Sequence, residues 1–259
     1  VSEALDRLPE HPLIKGVHLE GPFISPQFPG AQPPQFILDP APLSSAWKEI
    51  INDSRIRVMT LAPERPGGLD LVRRLASRNI IPSLGHTNGS FDEAQAGFNA
   101  GVRHSTHTYN AMKGLHHRDA GTVGFVLSEP GVTAELIYDR FHVSFGAARA
   151  LLQAKGLGGV IAVSDGTQAA GMPDGTEFAM WDHNVVLKEG QVRLASNGAL
   201  AGSAITLKDA FINLAQDFGV EAAIRACSLN PRRSLKMTDP PRVWVKFSPD
   251  FSEHCVIRC

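Results

Sequence analysis

The stretch IKGVHLEGP, residues Ile14–Pro22, combines a short apolar strand with a histidine and a glutamate at the point where the strand ends. Three further strings also place an ionisable or metal-ligating residue where a strand ends: GHT at Gly85–Thr87, HTYNAM at His107–Met112 and VSDG at Val163–Gly166. Each follows or ends an apolar run typical of a buried strand. A parallel α/β barrel gathers the carboxyl ends of its strands on one face, so the four strings are predicted to meet there.

Strands and helices alternate through the first two thirds of the chain. Six candidate strands lie at Ile14–Glu20, Arg57–Leu61, Ile80–Gly85, Arg103–His107, Val132–Tyr138 and Val160–Asp165. Helical stretches lie between them at about Pro42–Asn52, Leu69–Ser77, Phe91–Ala100 and Gly146–Ala154. This alternation predicts parallel pairing through right-handed crossovers. Because a closed barrel of this type needs eight strands, we predict an incomplete TIM-type (β/α)8 barrel: either two strands precede Val1, or the sheet is open.

The pattern changes after Asp165. Short antiparallel strands are predicted at Phe178–Trp181, Val185–Lys188 and Gln191–Leu194, and helices at about Ile205–Asp217 and Val220–Ser228. We therefore assign residues 1–231 to an α/β barrel domain that carries short antiparallel strands within 178–194. Residues 232–259, rich in proline and charge, are predicted to form an irregular tail.

Composition excludes several classes of protein. Of the 259 residues, 43% are hydrophobic and 20% are charged, as in an ordinary soluble globular protein. A formal net charge of −1 gives no global field, so we expect neither nucleic acid nor an anionic membrane as partner. No apolar run approaches the roughly 20 residues that span a bilayer. The three cysteines, Cys227, Cys255 and Cys259, lack metal-finger spacing and are expected to be free thiols of a cytoplasmic protein.

Two imidazoles and one carboxylate at strand ends suit a divalent metal, with zinc favoured. Side-chain alternation along Lys15–Glu20 puts Gly16, His18 and Glu20 on one face and Val17 and Leu19 on the other. If the apolar face packs against helices, Glu20 points into the barrel, where a carboxylate is costly unless it is paired or bound to a metal. Glu20, His86 and His107 are therefore predicted metal ligands; the alternative for Glu20 is an exposed loop carboxylate.

Asp165 is the fourth polar residue at a strand end. It could cap a helix, which is common for aspartate, but beside a metal it can act as a general base. His104 lies three residues before His107, so the two face opposite sides of a strand, and His104 is assigned a structural role. The loop Lys113–Gly121 contains Arg118, whose guanidinium suits an anion such as phosphate, although a solvated surface loop is equally consistent with it.

Together these motifs resemble the N-acetylglucosamine-6-phosphate deacetylase family of the amidohydrolase superfamily. The similarity runs from about Gly16 to Pro231 and rests on HLEGPF, GHT, H-x-YNAM, HHR-x-x-G and LAGS in that order. It implies a metal-dependent hydrolase barrel with a small β-sandwich domain, of which residues 232–259 would be a remnant. It also implies hydrolysis of N-acetylglucosamine-6-phosphate to glucosamine-6-phosphate and acetate in cytoplasmic amino-sugar metabolism, with Asp165 as the catalytic acid/base.

The resemblance further implies substrate contacts. The residues expected to bind the amino-sugar phosphate are Ala31, Gln32, Asn110, Ala111, Arg118, Asp139, Arg140, Phe141, His142, Leu200, Ala201 and Gly202. Arg118 and the stretch from Asp139 to His142 would bind the phosphate. Arg118 and His142 would do so from the second subunit of a homodimer.

Three departures from the family pattern leave alternatives open. Gln32 stands where the family usually has histidine, and glutamine can donate a hydrogen bond but cannot carry charge. The His-x-His pair that many members use for a second metal has no counterpart here, nor has the usual Gly-x-x-Ala-Asp segment near the C-terminus. The alternatives are an amidohydrolase acting on another N-acyl substrate and a catalytically inactive sugar-phosphate-binding fragment.

Overall fold

A curled sheet of six parallel strands forms the centre of the computed structural model, which describes residues 1–181, 183–240 and 243–258. The strands are β1 Val17–Glu20, β2 Ile56–Leu61, β3 Ile81–Leu84, β4 His104–Ser105, β5 Thr133–Ile137 and β6 Val160–Val163. They pair in chain order, with β1 and β6 at the two edges. In the described residues the sheet is therefore an open, partial barrel and not a closed one, which confirms the predicted count of six strands.

Helices connect consecutive strands. The connecting helices are α2 Ser45–Ile50, α3 Gly68–Ser77, α4 Phe91–Ala100, α5 Gly121–Ser128 and α6 Phe145–Lys155, and a further short helix, α1 Ser2–Asp6, precedes β1. The sequence did not predict α5, whose residues 121–126 are all buried. A helix that is apolar on every side shows no amphipathic period by which it could be recognised. Within the described residues, no helix combines the length and apolar character that crossing a membrane requires.

Helix α4 begins with a capping box. The Ser90 hydroxyl accepts a hydrogen bond from the Glu93 N–H at 3.3 Å, and the Glu93 carboxylate accepts one from the Ser90 N–H at 2.8 Å. We expect Ser90→Ala to lower the free energy of unfolding by about 1 kcal/mol, measured by urea denaturation, because the hydroxyl no longer caps the first turn of the helix. Ser77→Ala, at the exposed end of α3, is the matched control and should change it by less than about 0.5 kcal/mol. Equal losses in both variants would contradict a capping role for Ser90.

The strand register brings the carboxyl ends of the strands to one edge of the sheet. Glu20 pairs with Thr60, and Leu61 pairs with Leu84. The residues that follow β3, β4 and β6 therefore leave the sheet at the level of Glu20. An apolar core lies between one face of the sheet and the helices. Its fully buried residues include Met59, Leu84, Phe125, Leu136 and Tyr138.

A second, antiparallel sheet has four strands in the order β10-β9-β8-β7. They are β7 Glu177–Met180, β8 His183–Lys188, β9 Gln191–Leu194 and β10 Leu200–Ser203. Three were predicted. The fourth, β10, carries the LAGS string, whose small residues gave no strand signal. Ser203 N–H donates to the carbonyl of Asp165 at 2.9 Å, which ties this sheet to the end of β6.

The two helices predicted after the antiparallel strands are present, whereas the described part of residues 232–259 differs from the predicted irregular tail. Helices α7 Leu207–Phe218 and α8 Val220–Ile224 lead through a π-helical turn at Arg225–Leu229 into α9 Asn230–Ser234. Beyond them, β11 Val243–Phe247 and β12 His254–Arg258 form an antiparallel hairpin. The prediction of an irregular segment was wrong here because the middle of β11 is exposed on both faces, so its residues do not alternate in polarity. Cys227 and Cys255 are free thiols, while Cys259 lies outside the described residues.

Candidate metal centre and its cavity

Three side chains from three strand ends converge on one point. Glu20 ends β1, whereas His86 and His107 each lie two residues beyond the ends of β3 and β4. His86 Nε2 lies 2.9 Å from Glu20 Oε1, and His107 Nε2 lies 3.6 Å from Glu20 Oε2. Their ligand atoms all lie within 4.8 Å of one another. The predicted convergence of this trio is therefore found in the structure.

The Nε2 atoms of His86 and His107 face each other, and their hydrogen-bond pattern suits a cation between the two rings. His86 Nδ1 lies 2.8 Å from the carbonyl of Phe28, which can only accept a hydrogen bond, so Nδ1 carries the proton and Nε2 of the neutral ring keeps its lone pair. That Nε2 lies 3.1 Å from His107 Nε2. Two lone pairs repel at this distance unless a proton or a metal ion lies between them. A carbonyl behind a metal-binding histidine is also the usual second partner of such a ligand.

The pKa shifts of Glu20 and His107 also favour a cation at this point. Burial opposes ionisation of Glu20, but contact with the rings of His107 and His86, which favour the carboxylate by hydrogen bonding and by charge when they are protonated, outweighs burial and lowers the pKa of the Glu20 carboxyl. Burial likewise opposes the charged form of His107, yet the hydrogen bond and the negative charge of Glu20 raise the pKa of His107 to about 9. The site therefore stabilises positive charge, and its two nitrogens and one carboxylate fit a divalent metal.

The backbone is strained at three of the four central residues. His86, His107 and Asp165 have φ angles of +48°, +29° and +46°, in the region that non-glycine residues rarely adopt. Such conformations cost about 1–3 kcal/mol each and persist where surrounding contacts fix them, often at functional sites. At the neighbouring Gly85, an added Cβ would lie 2.8 Å from Thr106, so only glycine allows this close approach of β3 and β4.

Glu64 supports the loop that carries His86, and the sequence did not identify it. Its carboxylate accepts a hydrogen bond from the Thr87 hydroxyl at 2.7 Å and one from the Asn88 N–H at 2.8 Å. Burial raises the pKa of Glu64, although the Thr87 hydrogen bond opposes this. The available signal was a carboxylate three residues beyond β2, at the same edge of the sheet as the four motifs.

Asp165 and the trio line one cavity of about 600 Å³. Burial raises the pKa of Asp165, while attraction to His107 opposes the increase. The cavity is also lined by eight of the twelve residues expected to bind substrate: Ala31, Gln32, Asn110, Ala111, His142, Leu200, Ala201 and Gly202. Gln32 Nε2 donates to Glu20 Oε1 at 3.2 Å. Met180 and Trp181, which the sequence did not single out, complete one wall.

The other four expected residues are absent from this lining. Arg140 is directed to α7, where its Nε donates to Asp217 at 2.9 Å. Phe141 is half-exposed, and Arg118 lies in an exposed loop. Asp139 acts on the cavity indirectly, because its carboxylate lies 2.6 Å from His142 Nδ1 and holds that ring in place.

His142 lines the cavity of its own chain. This corrects the expectation that it reaches the site from a second subunit. The family pattern cannot distinguish the two cases from a single sequence, because subunit origin depends on how the chain folds back. The expectation that the second subunit supplies Arg118 is not affected by this correction.

Fold and site together define an amidohydrolase-type protein, a parallel α/β half-barrel with a candidate divalent-metal centre at the carboxyl ends of its strands. The chain belongs to the N-acetylglucosamine-6-phosphate deacetylase family. It is 32% identical to the N-acetylglucosamine-6-phosphate deacetylase of Thermotoga maritima, whose crystal structure superposes with a TM-score of 0.85 over 94% of this chain and 68% of that chain.

Curated relatives agree with this assignment. The chain is 36% identical over 240 residues to N-acetylglucosamine-6-phosphate deacetylase of Lysinibacillus sphaericus, covering 92% of this chain and 61% of that protein. It is 37% identical over 224 residues to N-acetylgalactosamine-6-phosphate deacetylase of Escherichia coli O157:H7, covering 86% of this chain and 59% of that protein. The chain thus spans about 60% of the length of the curated relatives it matches. No family model matches it.

Proposed function

We propose that this protein hydrolyses the acetamido group of N-acetylglucosamine-6-phosphate, releasing glucosamine-6-phosphate and acetate. The observation that carries the proposal is the convergence of Glu20, His86 and His107 in a cavity that also contains Asp165. Membership of the family supports the class of substrate, since its named members act on N-acetylated hexosamine phosphates. We place the activity in the cytoplasm and in a homodimer.

The metal ligands in this proposal are Glu20, His86 and His107, and the metal is zinc. A bound divalent cation supplies Lewis acidity, which polarises the amide carbonyl and makes a water molecule more acidic. Asp165 takes the proton of the attacking water and passes it to the amine nitrogen as the C–N bond breaks. Burial, which raises the pKa of Asp165, suits a carboxylate that must hold this proton between the two steps.

Recognition of the sugar and its phosphate is assigned to the cavity walls. Asn110 and the backbone at Ala111, Ala201 and Gly202 contact the sugar, and Gln32 lies beside the reacting amide. His142, oriented by Asp139, binds the phosphate from within the same chain. Arg118 completes the phosphate site from the second subunit.

A second candidate substrate has specific support. Identity to the N-acetylgalactosamine-6-phosphate deacetylase is 37%, close to the 36% found for the N-acetylglucosamine-6-phosphate enzyme. The two substrates differ only in the configuration of one hydroxyl group. A site that hydrogen-bonds this hydroxyl distinguishes the epimers, because the wrong epimer leaves a polar group unpaired.

The test is acetate release by the purified chain with and without Zn²⁺, using both 6-phosphates. We expect release from the N-acetylglucosamine compound that stops after chelation and returns with metal. Faster release from the N-acetylgalactosamine compound would assign that substrate instead. Calorimetric binding of either sugar phosphate without acetate release would identify a binding protein and refute the proposed catalysis.

Arg118→Ala should raise the KM for the 6-phosphate substrate by about 10- to 100-fold, since a charge-assisted hydrogen bond contributes about 1.5–3 kcal/mol. The unphosphorylated sugar should be almost unaffected. Steady-state kinetics on both substrates measure the difference, and dilution of the wild-type dimer to monomer should mimic the variant. Arg149→Ala, on the exposed face of α6, is the matched control. An equal effect on both substrates would exclude phosphate as the partner of Arg118.

A further inference from the structure

Glu135 is a carboxylate buried inside the half-barrel, and the proposed reaction does not use it. Its neighbours in β5, Ala134 and Leu136, are fully buried in the apolar core. Side chains alternate along a strand, so Glu135 points to the inner face of the sheet. There it is 5% exposed. A carboxylate in such a place needs partners, because burying an unpaired charge is costly.

The partners of Glu135 are the histidines of the barrel interior. Its Oε1 lies 3.6 Å from His104 Nδ1 and 3.9 Å from His18 Nδ1. His104 is itself anchored by a hydrogen bond between its Nε2 and the Ser234 hydroxyl. His18 is anchored by the Thr60 hydroxyl, 2.7 Å from its Nε2. The carboxylate is therefore held by groups that are fixed in turn.

Glu135 also contacts the segment that carries a proposed metal ligand. Its Oε2 accepts a hydrogen bond from the backbone N–H of His107 at 3.4 Å, and its carbonyl accepts one from the Thr108 N–H at 2.8 Å. His107 is the residue with φ of +29°. Glu135 also lines a cavity of about 330 Å³ that shares Glu20, His107 and Asp165 with the cavity of the site.

We infer that Glu135 is a positioning residue for the metal centre: its carboxylate fixes the backbone of His107 so that Nε2 faces Glu20 and His86. The inference rests on the metal centre of the proposed function. A purely structural role explains the placement less well, because buried ionic groups can often be replaced by apolar residues of similar volume without loss of stability. A group that orients a ligand, by contrast, is needed for metal affinity.

The test uses the 259-residue chain with Co²⁺ as the probe, whose absorption spectrum reports ligand geometry. Glu135→Leu removes both the acceptor and the charge, and Glu135→Gln keeps an acceptor oxygen. We expect Glu135→Leu to bind Co²⁺ about 10- to 100-fold more weakly, with a changed spectrum. Glu135→Gln should lie between Glu135→Leu and wild type. In the metal-free chain, amide hydrogen exchange over residues 104–110 should be faster in Glu135→Leu.

Asn230→Ala is the matched control for general destabilisation. Asn230 is buried and donates to the carbonyls of Leu157 and Val160 at 2.7 Å, away from the trio. It should lower the melting temperature and leave Co²⁺ affinity unchanged. Wild-type affinity and spectrum in Glu135→Leu, or an equal loss of affinity in Asn230→Ala, would overturn the inference and leave the proposed deacetylase unaffected. A wild-type chain that binds no Co²⁺ would refute the metal centre, and the positioning role with it.

Discussion

Asp165→Asn should reduce acetate release by about 10²- to 10⁴-fold while leaving the zinc content of the protein nearly unchanged. Asparagine keeps the size of the side chain but cannot take a proton from water or return it to the leaving amine. Asp165 lines the same cavity as the trio but is not one of the three grouped ligands, so its replacement leaves those three ligand atoms in place. The measurements are kcat at saturating substrate and metal content by elemental analysis.

The matched control for this variant is Asp70→Asn on the exposed surface of α3, where the aspartate pairs with Arg73. That change should leave kcat and metal content as in the wild type. Activity of Asp165→Asn within a few-fold of wild type would transfer the acid/base role to another group. A parallel loss of zinc would show instead that Asp165 helps to hold the metal.

The central site was predictable because its signals are local. Each motif places one polar residue where an apolar run ends, and parallel strands bring those ends together whatever the loops between them do. Glu20, His86 and His107 can therefore be selected by sequence alone from ten histidines and twenty-six acidic residues. The number of parallel strands followed from the same alternation.

Long-range pairs were not predictable in this way. Arg140 was expected in the substrate site because the family resemblance assigns the stretch from Asp139 to His142 to the phosphate, but its guanidinium pairs with Asp217, 77 residues along the chain. Glu64 and Glu135 escaped notice for a related reason. The positions of these two carboxylates in the sequence do not reveal their partners, because their roles depend on which N–H groups and histidines the fold brings to them.

The periodicity of apolar residues also failed to predict elements whose residues are nearly all buried or nearly all exposed. Helix α5 is buried around its whole circumference, and the hairpin of β11 and β12 is largely exposed, so neither shows the contrast between two faces on which pattern analysis depends. The packing of Phe211 against Phe247, with ring centroids 4.8 Å apart, ties this hairpin to α7. The two rings belong to segments far apart in the chain, so neither segment alone could predict the contact.

His86→Ala should abolish zinc binding and acetate release together. The imidazole supplies one of the three grouped ligand atoms, and its Nδ1 bond to the Phe28 carbonyl fixes the orientation of the ring. Replacing groups behind a ligand typically costs 10- to 100-fold in metal affinity, so losing the ligand itself should cost more than about 100-fold. Zinc affinity measured by competition with a chromophoric chelator tests this directly. His11→Ala, at an exposed histidine outside the four motifs, should bind zinc as the wild type does. If His86→Ala keeps wild-type zinc affinity, the metal binds elsewhere in the protein, and the convergence of Glu20, His86 and His107 has another cause.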